Sequence, residues 1–239
     1  MLEHIPYIKY YIANGKHENG DMCDDYKCCQ AWLSKDERME KWNEGNREQN
    51  WNKITKAVDS TKGKIITYNG SPIDAFFHSN SGGITETAKN VWGGENYPYL
   101  QSVQTSGEES YSGYESEAEL SKQELIEKIK TKYPEININF DEDECIKITQ
   151  YTESGRVKTI KFGNVELPGT VARSLFGLKS TNFSFEINGD KIKFKVLGYG
   201  HGVGMSQTGA DSMAKGGSNA EEIIKHFYSG VNISYVNDL

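Results

Sequence analysis

The chain has 239 residues, 36% hydrophobic and 26% charged, which is typical of a globular protein large enough to bury a core. Its formal net charge is -7 and it has no block of lysine and arginine, so we expect no nucleic-acid partner, because phosphate binding needs clustered positive charge. No apolar run is long enough to cross a bilayer, and the first residues lack the basic end and apolar stretch of a signal peptide.

The first sixty residues predict helices on either side of a polar loop. Residues 7–12 are interpreted as the end of a helix that begins abruptly at the chain start, so we expect a segment upstream of Met1. The polar loop covers 16–30. Residues 34–60 carry tryptophan and aliphatic side chains close to helical spacing, which predicts two helices broken near Gly45.

The pattern then changes to strands. Residues 64–68 and 73–78 flank the turn dipeptide Asn69-Gly70, which indicates a β-hairpin. Residues 80–83 predict a tight loop. The segment 105–120 is acidic and polar, and we expect it to be mobile.

The rest of the chain predicts short helices and further hairpins. Ser121-Lys122-Gln123-Glu124 is a capping box that opens a helix, and Asn188-Gly189 is a hairpin turn. The predicted elements are a helix to Lys132, strands over 145–150 and 157–162, a helix over 168–175, strands over 183–187 and 192–197, and helices over 206–214 and 220–228.

These elements together predict an α+β fold, with an antiparallel, hairpin-rich sheet and helices at both ends. We divide the chain into three parts. Residues 1–104 form the N-terminal part of the core, with the Cys/His loop and a Ser-Gly-Gly cleft loop. Residues 105–165 form a polar insertion with a helix and a strand pair, and 166–239 form the C-terminal part with a Gly-His-Gly-Val-Gly loop.

The strongest local motif is the glycine-rich run from Gly198 to Gln207, which follows a strand and opens a helix. Glycine costs backbone entropy, so this density indicates backbone N–H groups that approach a ligand at a helix start. Spacing alone slightly favours the alternative, a tight turn around a packed histidine. The candidate binding residues in this run are His201, Gly202, Gly204, Met205 and Gln207.

A second motif runs from Phe77 to Glu86, where a strand delivers a histidine and two serines into a Gly-Gly loop. Hydroxyl, imidazole and exposed N–H groups can bind a sugar or stabilise an oxyanion, although a plain polar loop is the alternative. The Gly-x-Ser-x-Gly elbow of acyl-transfer hydrolases is missing. The candidate binding residues here are His78, Ser79, Ser81, Gly82 and Gly83.

A third motif collects cysteines in the polar loop. Cys23, Cys28 and Cys29 lie near His17, and thiolates with imidazole are the ligands that zinc prefers. We therefore predict a structural zinc site, with Cys28 as its least certain member because adjacent cysteines seldom bind one ion together. A Cys23–Cys29 disulfide is the alternative in an oxidising space. Cys145 is interpreted as a core residue.

Weaker candidates lie close to these motifs. Arg173 and Ser174, with Lys179 nearby, could recognise acetamido or carboxylate groups if exposed, or act as caps if buried. Trp92 adds an aromatic face near the Ser-Gly-Gly loop, and such faces stack on sugar rings, although aromatic residues more often belong to a core.

Taken together, these segments resemble the family of the stage II sporulation protein D and its amidase-enhancer relatives. They occur in the family's order and cover nearly the whole chain. The matching segments are Cys23-Asp24-Asp25 with Cys29-Gln30-Ala31-Trp32, Phe77 to Gly83, Val91-Trp92-Gly93-Gly94, Arg173-Ser174-Leu175 with Leu178 to Phe183, and Gly200 to Gln207.

The resemblance implies a peptidoglycan lytic transglycosylase, which cuts between N-acetylmuramic acid and N-acetylglucosamine without water. A carboxylic acid protonates the bridging oxygen, and the sugar's 6-hydroxyl then closes an anhydro ring. The family acts during engulfment of the spore, outside the cytoplasmic membrane, on glycan strands whose stem peptides a partner amidase has removed. Its members carry an N-terminal membrane anchor, which we do not expect within this sequence.

This sequence departs from the family at the catalytic acid. The family's glutamate lies in a Glu-Met-Pro segment upstream of the helix end at 7–12, and no Glu-Met-Pro occurs here. We therefore expect the acid to lie upstream of Met1. Glu86, beside the Ser-Gly-Gly loop, is named as a fallback catalytic residue and is expected to hold the cleft instead.

Two alternatives stay open. The chain could be a non-catalytic glycan-binding module that activates a partner amidase, as the amidase-enhancer branch suggests. It could also be a metal or cysteine hydrolase built on His17 and the cysteines, which is the weakest reading because no His-Glu-x-x-His motif is present.

Overall fold

The chain combines helices with mainly antiparallel strands, which confirms the predicted α+β class. It divides into two compact units, one formed by the residues up to Phe76 and from Gly230 onward, the other by Phe77–Ser229. The predicted helix end at 7–12 lies outside the described residues, and the three-part division remains a prediction. The computed structural model describes residues 17–18, 23–25, 28–29, 31–94 and 97–235.

Two helices of the first unit lie where the sequence predicts them. Helix α1 spans Lys35–Glu40 and begins at a Ser34 capping box, and helix α2 spans Arg47–Ser60. A short 3-10 turn, Glu44–Asn46, separates them and confirms the break near Gly45. Neither helix contains a buried residue, so both are surface elements.

A small antiparallel sheet completes the first unit. Strand β1, Lys64–Tyr68, turns through Asn69-Gly70 into the short strand β2, Ser71–Pro72. Both turn residues have positive φ, 51° and 81°, as a tight hairpin turn requires. The other edge of β1 pairs with a strand that the sequence did not reveal, Asn232–Tyr235.

The predicted second hairpin strand at 73–78 is wrong. The antiparallel pairing ends just after Pro72, with one last hydrogen bond of 3.2 Å from the N–H of Ile73 to the carbonyl of Ile66. Only Phe77–His78 forms a strand, β3, and it pairs in parallel with a strand far along the chain. Helix α3, Ala88–Trp92, follows with Thr87 as its N-cap.

The middle of the second unit confirms the predicted helix and strand pair. Its first elements are strand β4, Glu115–Ser121, helix α4, Lys122–Lys130, strand β5, Ile146–Tyr151, and strand β6, Val157–Phe162. Ser121 and Glu124 form the predicted capping box at the start of α4. Strand β7, Val165–Pro168, joins β5 and β6 in one sheet and leads into helix α5, Gly169–Phe176.

The hairpin predicted across Asn188-Gly189 is also present, with its turn at Gly189-Asp190, because Asn188 pairs with Lys191. Its strands are β8, Phe183–Asn188, and β9, Lys191–Leu197, and the order of their sheet is β4-β9-β8. After the glycine-rich run come strand β10, Met205–Ser206, helix α6, Gln207–Lys215, and helix α7, Ala220–Phe227.

The expectation that 105–120 is mobile is wrong. Its second half belongs to β4, which pairs with β9 along its whole length. Glutamates at alternate positions face solvent, and Glu117 and Glu119 pair with Lys193 and Lys191, while the intervening side chains turn inward. Exposed and inward-facing side chains therefore alternate along this acidic segment, as they do in a half-buried strand.

The core of the second unit lies between these sheets and the two helices that cover them. Leu125 and Ile129 of α4 and Ala172 of α5 are fully buried against strand residues. Phe176 stacks on Phe194 with ring centroids 5.3 Å apart. This core fixes α5 and β9, and so it fixes the ends of the glycine-rich run that follows β9.

Candidate functional site

The two glycine-rich motifs lie side by side in the second unit. Strands β3 and β10 pair in parallel, with Phe77 opposite Met205 and His78 opposite Ser206. Beyond them, Asn80 and Tyr199 exchange backbone hydrogen bonds of 3.0 and 2.8 Å. The residues predicted from separate stretches of sequence thus form one site, which we call the double-loop site: residues 78–86 and 198–207.

Two glycines of the second loop are required by close approach. A Cβ on Gly198 would lie 2.8 Å from the carbonyl oxygen of Asn80, and one on Gly202 would lie 2.8 Å from Cζ of Arg156. Both residues also have positive φ, 80° and 83°, which L side chains rarely adopt. The glycine density of the run therefore serves loop-to-loop packing at these positions.

The imidazoles of His78 and His201 face each other across the double-loop site. Their ring centroids are 5.6 Å apart. Nδ1 of His78 donates to the carbonyl of Val203 at 3.1 Å, whereas Nδ1 of His201 accepts from the N–H of Val203 at 3.0 Å. These bonds set opposite tautomers, because one Nδ1 carries the proton and the other does not.

Both histidines are held neutral. Burial lowers the pKa of His78 to about 3, and the neighbouring His201 and Arg156 act in the same direction. Burial and the charge of Arg173 lower the pKa of His201 to about 4. Near neutral pH the pair therefore offers uncharged rings and no acid.

His201 lies at the boundary between the loops and solvent. The ring of Trp92, 48% exposed, lies 5.1 Å from the His201 ring, whereas His78 is buried. Tyr199, two residues before His201, is 43% exposed. Exposed aromatic rings on a rigid turn can stack on the faces of sugar rings.

The other predicted binding residues divide into buried and exposed groups. Ser81, Gly202, Gly204 and Met205 are buried, and the carbonyl of Ser79 accepts a hydrogen bond from Thr208. Gly82 and Gly83 are partly exposed, as is Arg173 on α5, while Ser174 on α5 and Gln207 on α6 are exposed.

A buried carboxylate that the sequence did not predict holds the loops together. Glu108 is completely buried, and its two oxygens accept from the backbone N–H groups of Ser81 and Gly83 at 3.2 and 3.1 Å. Further donors are the hydroxyl groups of Ser81, Thr105, Ser206 and Thr208.

The pKa of Glu108 follows from this environment. Burial raises the pKa, but the hydrogen bonds from Ser206, Ser81 and Thr105 outweigh burial and lower it to about 2. Glu108 is therefore an anion at neutral pH and fixes the start of α6 against the Ser-Gly-Gly loop. The sequence did not indicate this role, because Glu108 lies in the segment 105–120, whose acidic and polar composition predicted a mobile loop.

A buried guanidinium supports the loops from the other side. Arg156 is 1% exposed, and its Nη2 donates to the carbonyls of Ser81 and Ile84 at 2.5 and 3.1 Å. Burial lowers the pKa of Arg156 to about 10, against the opposing charges of Glu86 and Glu108, so it stays protonated. The β5–β6 hairpin thus delivers a positive charge beneath both loops.

Glu86, the fallback catalytic residue, is buried with its carboxylate occupied. Oε1 accepts from the N–H of Thr87 at 2.7 Å and from Asn90 at 2.9 Å, and Oε2 accepts from Ser154 at 2.7 Å. Its own N–H donates to the carbonyl of Gly202 at 2.8 Å. This is the arrangement of a residue that ties the first loop to the second.

The first unit contains the predicted metal cluster. Ligand atoms of His17, Cys23, Cys28 and Cys29 all lie within 4.8 Å of one another, and no other such group of ligating residues occurs in the described ranges. Nε2 of His17 is 3.1 Å from Sγ of Cys29 and 3.8 Å from Sγ of Cys28. All four cysteines of the chain are free thiols, so the alternative Cys23–Cys29 disulfide is not formed.

Comparison with known proteins places this architecture in a family. A family model described as "Stage II sporulation protein" matches residues 7–68. The stage II sporulation protein D of Bacillus subtilis (strain 168) is 36% identical over 230 residues, covering 95% of this chain and 64% of that protein. The corresponding protein of Bacillus amyloliquefaciens is 35% identical over 229 residues, with the same coverage of both chains, 95% and 64%.

These matches confirm the predicted resemblance: the chain belongs to the stage II sporulation protein D family. A protein named amidase enhancer from Bacillus subtilis (strain 168) is 28% identical over 235 residues, covering 77% of this chain and 33% of that protein. The chain spans 64% of the length of the two sporulation proteins. Among the residues described, no helix combines the length and apolarity needed to cross a membrane.

Proposed function

We propose that this chain carries the glycan-binding part of a peptidoglycan lytic transglycosylase. It acts in sporulation, on the extracytoplasmic face of the cell membrane, on strands freed of their stem peptides. The observation that carries the proposal is the 5.6 Å approach of the His78 and His201 rings, which brings together the two loops whose residues predict a sugar-binding site. Membership of the sporulation family supports the cell-wall setting.

The chemistry of the site suits binding better than proton donation. A general acid for glycosidic cleavage needs a carboxyl group whose pKa is raised towards neutrality. Glu108 has its pKa lowered to about 2, and the carboxylate of Glu86 accepts hydrogen bonds from Thr87, Asn90 and Ser154. The acid that protonates the bridging oxygen is therefore assigned to the Glu-Met-Pro segment of the family, which this sequence does not contain.

The test is to incubate the chain with amidase-treated glycan strands and to analyse the products by mass spectrometry. We expect the strands to bind without release of 1,6-anhydromuramyl products. Released anhydro products would show that the chain has its own acid, and Glu86→Gln would then decide whether Glu86 supplies it. Failure to bind the strands would overturn the proposal itself.

We further propose that zinc binds to His17 and the three clustered cysteines with a structural role. A tetrahedral site with Zn–S about 2.3 Å and Zn–N about 2.0 Å separates its ligand atoms by roughly 3.6–3.8 Å. The 3.8 Å between Sγ of Cys28 and Nε2 of His17 matches this separation. The 3.1 Å between His17 and Cys29 is shorter and the common 4.8 Å limit is longer, so zinc binding would shift these ligand atoms by up to about 1 Å. Thiolate ligands would cross-link a polar loop that has little apolar surface to bury.

A second function is supported by the amidase-enhancer relative. The chain could bind the glycan and raise the rate of a partner cell-wall amidase without cutting the strand itself. An amidase assay on purified peptidoglycan, with and without the chain, tests this function. An unchanged amidase rate at saturating chain would exclude it.

A further inference from the structure

Two cations lie beside the double-loop site, Arg173 on α5 and Lys179 in the following turn. Nζ of Lys179 lies 4.5 Å from the centroid of the Tyr199 ring, which is 43% exposed. The charge of Arg173 also reaches His201.

Backbone contacts fix these cations against the second loop. The N–H of Gly200 donates to the carbonyl of Lys179 at 3.0 Å, and the N–H of Leu178 donates to the carbonyl of Arg173 at 3.0 Å. The Arg173 side chain uses Nε to donate to Leu178 at 3.4 Å. Its two terminal nitrogens form no hydrogen bond to any residue that the structure describes.

The surroundings of these two cations differ from those of several other lysines of this acidic chain, whose net charge is -7. Elsewhere in the second unit, lysines such as Lys193, Lys215 and Lys225 pair with carboxylates at 2.6–2.8 Å. Within the described residues, neither Arg173 nor Lys179 has a carboxylate within 4.0 Å. A local positive charge next to exposed aromatic rings therefore selects for an anionic ligand with a ring face.

We propose that Arg173 and Lys179 form a subsite for the free lactyl carboxylate of muramic acid. This inference rests on the proposed function. Hydrolysis of the amide between the lactyl group and the stem peptide leaves a carboxylate on each muramic acid, and guanidinium and ammonium groups bind carboxylates through charge-assisted hydrogen bonds. The subsite gives a physical reason for a preference for denuded strands, because a peptide-bearing residue has a neutral amide at this position.

The experiment compares two oligomers of the glycan repeat that differ in one group. One has free lactyl carboxylates, and the other has the same groups converted to primary amides. Calorimetric titration of the chain with each oligomer gives two dissociation constants. We expect the carboxylate form to bind the wild type about ten- to a hundredfold more tightly, as expected for loss of one or two charge-assisted contacts.

Variants locate the effect. Lys179→Met, at an exposed position, and Arg173→Gln should each reduce the discrimination severalfold, because each weakens binding of the carboxylate form more than binding of the amide form. Lys132→Met, an exposed lysine on the turn after α4, is the matched control and should keep the discrimination. Lys179→Met serves as the test if Arg173→Gln unfolds.

The outcomes separate the inference from the function on which it depends. If neither oligomer binds, the proposed function fails, and the subsite with it. If both oligomers bind the wild type equally, glycan binding stands and the subsite is wrong. Discrimination that persists unchanged in both Arg173→Gln and Lys179→Met would also overturn the subsite.

Discussion

Replacing Glu108 by glutamine isolates the contribution of the buried carboxylate to the double-loop site. Each oxygen of the carboxylate accepts from a different backbone N–H group, Ser81 on Oε1 and Gly83 on Oε2. A backbone N–H cannot reverse its direction, unlike a hydroxyl group. Turned one way, the NH2 group of the glutamine faces the buried N–H of Ser81, which then loses its acceptor. Turned the other way, it faces the N–H of Gly83, which keeps only the Ser81 hydroxyl, at 3.2 Å, as an acceptor.

The magnitude follows from the same contacts. A hydrogen bond to a charged group contributes about 1.5–3 kcal/mol, and a buried donor left without an acceptor costs about 1–3 kcal/mol. Because glutamine is uncharged, the variant no longer pays the cost of burying a negative charge, and this offsets part of the loss. We expect Glu108→Gln to lower the free energy of unfolding by roughly 3–5 kcal/mol at pH 7.

Urea unfolding followed by tryptophan fluorescence measures this change. Glu109→Gln is the matched control, because Glu109 is exposed and next in sequence, and it should stay within about 0.5 kcal/mol of the wild type. If Glu108→Gln were also within about 1 kcal/mol of the wild type, the central role given to this carboxylate would be contradicted.

Three further changes test other parts of the account. Gly202→Ala should lower the free energy of unfolding by about 2–4 kcal/mol, because its Cβ would lie 2.8 Å from the buried guanidinium of Arg156. Gly83→Ala, whose Cβ would have nothing within 4 Å, should lower it by only about 1 kcal/mol through backbone strain. Equal losses of stability in urea unfolding would contradict the packing argument. Because the pKa of His78 is lowered from 6.5 to about 3, the unfolded chain takes up a proton at pH 5 that the folded chain does not, so His78 alone should lower the free energy of unfolding by about 2 kcal/mol between pH 7 and 5, and His201, whose pKa is lowered to about 4, should add a similar amount. The pH dependence should be weaker by one proton in His78→Asn, and an unchanged slope would refute the role given to His78. Metal analysis should find about one zinc ion per chain, which should be lost in Cys23→Ser and kept in Cys145→Ser. Absence of zinc from the wild type would refute the proposed zinc site.

The sequence predicted elements whose signals are local. The Asn69-Gly70 turn and the Ser121 capping box depend on residues a few positions apart, and both are present. The hairpin predicted at Asn188-Gly189 is also present, with its turn one residue later, at Gly189-Asp190. The glycines of the second loop predicted that some group approaches the backbone closely, but they did not identify that group. At Gly198 and Gly202 the neighbours are Asn80 and Arg156, which are far away in sequence.

The parts that the sequence did not predict depend on long-range contacts. Strands β3 and β10 have two residues each, too short for any periodicity, and their partners are more than 120 positions apart. Glu108 and Arg156 resemble ordinary surface charges, because charged residues are mostly exposed. Only the folded chain shows that their donors and acceptors converge, which is how buried charges are stabilised.

The most direct test of the central claim is the dissociation constant of a denuded glycan oligomer for the wild type, Trp92→Ala and Tyr151→Ala. Trp92, 48% exposed, borders His201 at the double-loop site, and Tyr151 on β5 is an aromatic residue that is 58% exposed. The account predicts binding that weakens about tenfold in Trp92→Ala and is unchanged in Tyr151→Ala. Equal binding by all three proteins, or no binding by any of them, would contradict it.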